Sequence, residues 1–578
     1  MEATLLTLMW YDYFIFILIL LFSLLIGIYF GYFSKSKQSN PSKYLQGTSK
    51  MKAFPVAISL IAGNGSPTTI LGYSSEVYSY GAYILLGAFS YILVFLANRF
   101  VYLPVLYNLD ISTSYEYLEK RFDRRCRRLA SVLFIMACSF YLSMTMYSPA
   151  LALSAVTGFK LHLITIFVSS ICIFYTSIGG FKTVIWTDVL QYMVVAVTLI
   201  IVLGLGIRSK DGLAEVWHKG ITSGRLDILK LDPNPTIHDS FWVMLIGYTI
   251  DLTAITCVDQ VCVQKMRSLR SFKEATKAFI GFLIGDFLMI VTYVSLGLTM
   301  YARYANCDPY KAGFIESPDQ LLPYFVLDMG KRVPGVTGIF IAAMFCSSLS
   351  VQSAMLNSIA SSLYSDIFSK FLGNISERKA GKTLKLIVVG VGIVCALIVF
   401  VIHQTKTIFG FILMILGVLC GPILGIFSAG LFFPKVNATG AFYGTVLALI
   451  VGLSIACPAT YYQMNNMIKH PLKPLSTNGC YSFNQTTPTS FWLNETINNP
   501  ADTYKAPFIF RISFFYFSTI CVGVAIISAL VISYVTNKND PVVVQKELIS
   551  PVCRFLLDKK QNEHHKSVKY SNVDTSTE

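Results

Sequence analysis

Charge is scarce in this 578-residue sequence: Asp, Glu, Lys and Arg make up 13% of it, while 54% is hydrophobic. A chain so poor in charge does not read as a soluble globular protein. Histidine is rarer still, with 7 residues dispersed apart from a pair near the end, and neither an HExxH pattern nor a P-loop occurs. A zinc hydrolase or a nucleotide-driven enzyme is therefore not expected, and no catalytic residue is assigned. The 13 cysteines include no CxxC pair and fall mostly inside apolar runs, which argues against a metal site or a disulfide-built domain. No cleavable leader is expected. The first apolar run is long enough to span a bilayer, and polar Ser and Lys residues follow it instead of a small-residue cleavage site.

What the chain does have is apolar length. About thirteen runs approach the ~20 residues a bilayer requires, at roughly 11–33, 54–77, 82–106, 129–155, 161–179, 183–207, 240–262, 277–301, 335–363, 385–403, 408–433, 438–457 and 511–535. The formal net charge of +15 would suggest nucleic acid in a soluble protein. Here topology explains it, and no nucleic-acid partner is expected. Basic residues crowd the loops after the first, third, seventh and ninth runs, among them Lys120, Arg121, Arg124, Lys265, Arg267 and Lys379. The positive-inside rule then puts the N-terminus outside and the C-terminal tail inside. Asn484 and Asn494 begin glycosylation sequons in the long loop before the last run, which this topology also places outside. Cys307 and Cys480 lie in predicted outer loops, where oxidation is permitted. They could pair, remain free, or have Cys457 as an alternative partner. The tail from 537 to 578 is polar and reads as disordered, with a short turn over Val552–Leu557 able to dock on the membrane surface.

One run stands apart. Phe54–Val77 is apolar, yet its middle reads Ala62-Gly63-Asn64-Gly65-Ser66-Pro67-Thr68-Thr69. Pro67 removes an N–H and disfavours helix at Ser66. A break at bilayer depth frees backbone groups that lipid cannot satisfy, so it survives only in protein or against a cavity. Asn64, Ser66 and Thr69 beside those freed groups would form a polar solute site at the midplane, or Pro67 is a kink packed against neighbouring helices. Ionisable groups at depth point the same way. Asp251 and Asp286 fall well within predicted spans, whereas Asp188, Asp259 and Arg99 lie within about two turns of a predicted end, where an interface placement explains them equally well. Ser347, Ser350 and Ser353 recur about a turn apart on the ninth run and could add hydroxyl ligands for a hard cation; tight helix packing explains such serines equally well.

These residues coincide with motifs. Ser75-Glu76-Val77-Tyr78 with Tyr80-Gly81, Ile111–Phe122 (ISTSYEYLEKRF), Ile178–Gln191 (IGGFKTVIWTDVLQ), Asp232-Pro233-Asn234-Pro235, Pro318–Tyr324 (PDQLLPY) and Phe433–Asn437 (FPKVN) with Gly440-Ala441 together resemble the sodium/solute symporter family. The likeness is greater to its monocarboxylate, iodide and multivitamin branch than to its sugar branch. It extends from about Tyr11 to Val535. It implies an all-α membrane protein with a five-plus-five inverted repeat and a broken helix opening each half. The organisation would be 1–53 first helix and loop, 54–207 first repeat, 208–239 outer loop, 240–433 second repeat, 434–536 last two helices with the glycosylated loop, and 537–578 tail. The second broken helix would centre on Gly247–Thr256.

The resemblance further implies a plasma-membrane secondary transporter moving a small organic anion such as a monocarboxylate with Na⁺ by alternating access. Na⁺ is the coupling ion and no other cofactor is implied. Its ligands would be Ala62, Gly65, Ser347 and Ser350. Solute contacts would come from Asn64, Ser66, Thr69, Gly247, Asp251 and Gly417, with Asp188, Asp259, Asp286 and Val351 in coupling or gating. Two departures stand out. Val351 replaces a hydroxyl ligand of the family, and Asp286 places negative charge where an anionic solute would be repelled. A sodium-uncoupled or proton-linked transporter, a uniporter or a sensor of this fold, with a neutral or cationic solute, is the alternative expectation.

Overall fold

The computed structural model describes residues 9–28, 51–368, 377–402, 408–480, 506–536 and 544–556, apart from 110, 179–180, 210–211, 332, 466 and 469–470. Helices carry the chain, and an isolated bridge between Met51 and Leu269 is the sole strand-like pairing among the described residues. In order they are α1 (Trp10–Ile28), α2 (Ala53–Asn64), α3 (Pro67–Tyr80), α4 (Gly87–Ala97), α5 (Leu103–Asn108), α6 (Glu116–Arg121), α7 (Arg124–Thr157), α8 (Leu161–Ile178), α9 (Phe181–Arg208), α10 (Leu213–Thr222), α11 (Thr249–Thr253), α12 (Gln260–Arg267), α13 (Phe272–Tyr304), α14 (Leu321–Gly330), α15 (Val336–Ser362), α16 (Glu377–Ile402), α17 (Ile408–Phe432), α18 (Ala438–Met464) and α19 (Tyr516–Thr536).

Nine helices among the described residues are long and apolar enough to cross a membrane, and a tenth span follows if the bent pair Val243–Val258 and Gln260–Arg267 is one. Three shorter apolar helices, Trp10–Phe22, Ala53–Asn64 and Leu161–Ile171, lie at other expected spans. Large apolar side chains face outward, among them Ile200, Leu386, Leu397 and Ile527, each more than 60% exposed. Lipid satisfies such a surface and water does not. The helices differ in position: 89% of the apolar stretch of α15 is buried, against 28% for that of α16. So α15 is a central helix and α16 a peripheral one.

Two broken helices meet this centre. The first breaks where the sequence predicts. Asn64 ends α2, Gly65 follows, and Ser66 caps α3 by accepting the Thr69 N–H at 3.1 Å, with Pro67 in the first turn. Proline suits that position because its missing N–H has no helical partner there. The second is expected at Gly247–Thr256, but that stretch stays helical, with π-type turns at Val243–Tyr248 and Ala254–Val258. The chain instead bends by 50° at Asp259. The cause is a cap: Asp259 leaves the helical conformation and accepts the Val261 N–H at 2.7 Å, restarting the helix as α12.

Close approach holds α13 against the first broken helix. A Cβ on Gly285 would sit 2.3 Å from the Ile61 side chain, and one on Gly297 would sit 2.8 Å from the Ser74 carbonyl oxygen. Small residues let membrane helices touch in this way. Cys307 and Cys480 form a disulfide, flanked by Asp308 N–H to Ser476 and Gly479 N–H to Asn306.

The tail differs from its expectation in part. Lys546–Leu548 and Pro551–Leu556 form short turns. Buried Val544, Leu548 and Ile549 anchor them, and Tyr117 donates to the Leu548 carbonyl at 3.0 Å. Those three apolar residues supply burial that a wholly polar tail would lack. Asn484, Asn494 and the remainder of the tail lie outside the described residues.

Candidate functional site at the break of α2 and α3

The break gathers two clusters. On one side, Ser347 of α15 donates to the Gly65 carbonyl at 2.5 Å. One turn on, Ser350 donates to Asp188 Oδ1 of α9 at 2.6 Å. A small cavity sits here, lined by Ala62, Gly65, Tyr192, Val195, Met289, Ser347 and Ser350. It measures ≈ 10 Å³, about the space of one water or small ion. Val351 is fully buried and does not line it. Ser353 turns inward to its own helix, donating to the Ser350 carbonyl at 3.0 Å.

Asp188 also accepts from Ser59 of α2 at 2.6 Å, and Lys265 of α12 approaches it at 3.3 Å. The Lys265 ammonium donates to the Ser59 carbonyl at 2.7 Å as well. Lys265 is 2% exposed. Counting it among loop charges is therefore a misreading that the structure corrects: it is the buried partner of Asp188. The end of its apolar run hid this, because sequence alone cannot tell a lysine past the membrane from one folded back into it.

On the other side of the break, the Asn64 amide donates to both oxygens of Asp286 of α13, at 3.0 and 2.9 Å. Tyr91 of α4 donates to Asp286 at 2.5 Å and lies 3.3 Å from the Tyr248 hydroxyl. Tyr141 of α7 donates to Ser66 at 2.9 Å, and Thr69 bonds Ser66 and the Asn64 carbonyl. Asn64, Ser66 and Thr69 are thus brought together with Asp286. None of the tyrosines was singled out by sequence. A tyrosine in an apolar span resembles any core aromatic until its hydroxyl is placed.

Three expected solute residues sit elsewhere. Asp251 accepts from Ser518 of α19. Gly247 and Gly417 both abut the start of that helix, where a Cβ would meet the Phe515 carbonyl oxygen at 2.7 Å and the Phe517 side chain at 3.0 Å respectively. Close packing of α19 explains both glycines. Asp259 is the helix cap described above.

The sequence profile of the Sodium:solute symporter family matches residues 44–448. Sodium-coupled monocarboxylate transporter 1 of Xenopus laevis is 34% identical over 539 residues, covering 91% of this chain and 86% of its own length. Sodium-coupled monocarboxylate transporter 2 of Mus musculus is 33% identical over 548 residues, covering 94% and 87%. The Sodium-dependent multivitamin transporter of Oryctolagus cuniculus is 31% identical, covering 91% and 82%. Among solved structures, a substrate-bound, outward-open Na⁺-coupled sialic acid symporter superposes with a TM-score of 0.72 at 22% identity, covering 91% of this chain and 98% of its own. The fold is shared with that inverted-repeat transporter, and the chain belongs to the sodium:solute symporter family, as a multi-pass membrane transporter rather than an enzyme.

Proposed function

We propose that this protein carries a small organic monocarboxylate across the plasma membrane, driven by Na⁺, with its N-terminus outside and its C-terminus inside. The observation that carries the ion assignment is the small cavity at the break, lined in part by Ala62, Gly65, Ser347 and Ser350, with the Ser347 hydroxyl on the Gly65 carbonyl. An all-oxygen donor set suits a hard cation. Na⁺ there would take the Ala62 and Gly65 carbonyls and the two serine hydroxyls. Val351 offers no fifth oxygen. Asp188, one hydrogen bond away and paired with Lys265, fixes the orientation of the Ser350 hydroxyl.

Ion binding at this point would join the end of α2 and the break that follows it to α15. It favours whichever state holds the four oxygens together, and only by its differential affinity for the two states. The solute then binds beside Asn64, Ser66 and Thr69, where the α3 N-terminus favours a carboxylate. The monocarboxylate assignment is supported by the names of the relatives above. Uptake of labelled lactate in Na⁺ and in N-methyl-D-glucamine medium tests the reading, for the native chain and for Val351→Thr. Uptake that collapses without Na⁺ supports it. Val351 by itself favours a sodium-uncoupled carrier, and Na⁺-independent uptake that becomes Na⁺-dependent in Val351→Thr would establish that alternative.

A further inference from the structure

Asp286 is a buried carboxylate with hydrogen bonds but no counter-charge. It is 6% exposed, and its three bonds come from the Asn64 amide and the Tyr91 hydroxyl. Amide and phenol donors such as these can hold an ionised carboxylate. No ion pair among the described residues includes it. The nearby buried ammonium, Lys265, is taken up by Asp188 and the Ser59 carbonyl. A charge removed from water and left unpaired is costly, so such a group is expected to meet a cation at some stage of its working cycle.

The surroundings say what kind. Asp286 and Tyr293 stand two turns apart on one face of α13 and bracket the break between them, for Asn64 bonds Asp286 while the Tyr293 hydroxyl lies 3.7 Å from where a Gly65 Cβ would be. That hydroxyl is buried and has no hydrogen-bond partner among the described residues. Tyr293 stacks on Tyr73 with ring centroids 6.1 Å apart, and Tyr91 meets Tyr248 edge-on at 6.3 Å. The α2 C-terminus adds the negative end of its dipole on the Asp286 side, while α3 presents its positive end across the break. A carboxylate among tyrosine rings is an environment that recognises an ammonium group.

We propose that the solute bound at this break carries a positively charged amine as well as a carboxylate, with Asp286 as the counter-ion of the amine. The carboxylate end rests on the reading given above and meets the α3 N-terminus and the free Tyr293 hydroxyl. The amine end replaces Asn64 or joins it at Asp286. This resolves the repulsion that Asp286 would otherwise exert on a simple anion.

The test is uptake of labelled glycine betaine, choline and lactate, with Na⁺ present and replaced by N-methyl-D-glucamine, by cells expressing the full chain, normalised to protein at the cell surface. It is run on the native chain, Asp286→Asn and Asp286→Glu. Losing the counter-charge of the ammonium is expected to cut uptake about tenfold or more. Betaine uptake that falls so in Asp286→Asn and is partly kept in Asp286→Glu supports both the amine and the carboxylate. Choline uptake with the same dependence, without betaine, keeps the amine and removes the carboxylate reading. Lactate uptake that survives Asp286→Asn, with betaine and choline excluded, overturns the amine and leaves the carboxylate. The same exclusion with a weaker Na⁺ dependence in Asp286→Asn assigns Asp286 to an ion and likewise overturns the amine. Uptake of none of the three overturns both.

Discussion

Two aspartates flank one broken helix, and their surroundings differ in kind. Asp188 is closed: a lysine ammonium and two serine hydroxyls answer it from α12, α2 and α15. Asp286 is open: an amide and a phenol answer it, and no cation does among the described residues. The difference separates two tasks. A charge already paired can tie helices together and tune a neighbouring ion site. A charge left without a counter-ion is available to something that arrives.

The strongest way to break this comparison is to remove the partner of the closed site. Lys265→Met should destabilise the solubilised protein by about 3–5 kcal/mol, because it strands a buried carboxylate. A thermal melt checks this. Adding Asp188→Asn should recover most of the loss, and a single variant as stable as the native chain would show that the pair is not structural. Next in size is Ser350→Ala, which removes a hydrogen bond to a charged group, about 1.5–3 kcal/mol, and one proposed sodium ligand. The half-saturating Na⁺ concentration for uptake should rise at least several-fold. Ser347→Ala removes a neutral hydrogen bond to Gly65, about 1 kcal/mol. It should raise the same concentration by less, and the reverse order would mean that Asp188 does not act through Ser350. The smallest effect on stability is expected at the open site. Asp286→Asn keeps the shape and removes an unpaired charge, so the ligand-free melting temperature should stay level or rise. A fall like that of Lys265→Met would erase the contrast between the two aspartates.

Sequence reading was strongest where chemistry is local. Pro67 and Gly65 announced the first break because proline and glycine act on their own backbone. It was weaker at the second break, where Asp259 ends a helix by a side-chain cap that an aspartate in a span does not advertise. It misplaced Lys265, because the distinction between loop and core depends on how α12 turns back. It assigned Gly247 and Gly417 to the solute, whereas their close neighbours belong to a helix that starts 269 and 99 residues later, at Tyr516.

The amino-acid sequence alone determined that this chain crosses a membrane many times, that one helix is broken by Gly65 and Pro67, and which family motifs it carries. Apolar length and backbone-restricting residues act within one segment, so no partner is needed to read them. Only the tertiary structure decided which aspartate is neutralised and which is not. Asp188 and Lys265 are 77 residues apart in the chain, and Asn64 and Asp286 are 222 apart. Whether a buried charge is paired depends on what the fold brings within about 3 Å of it, and a linear pattern holds no such distance.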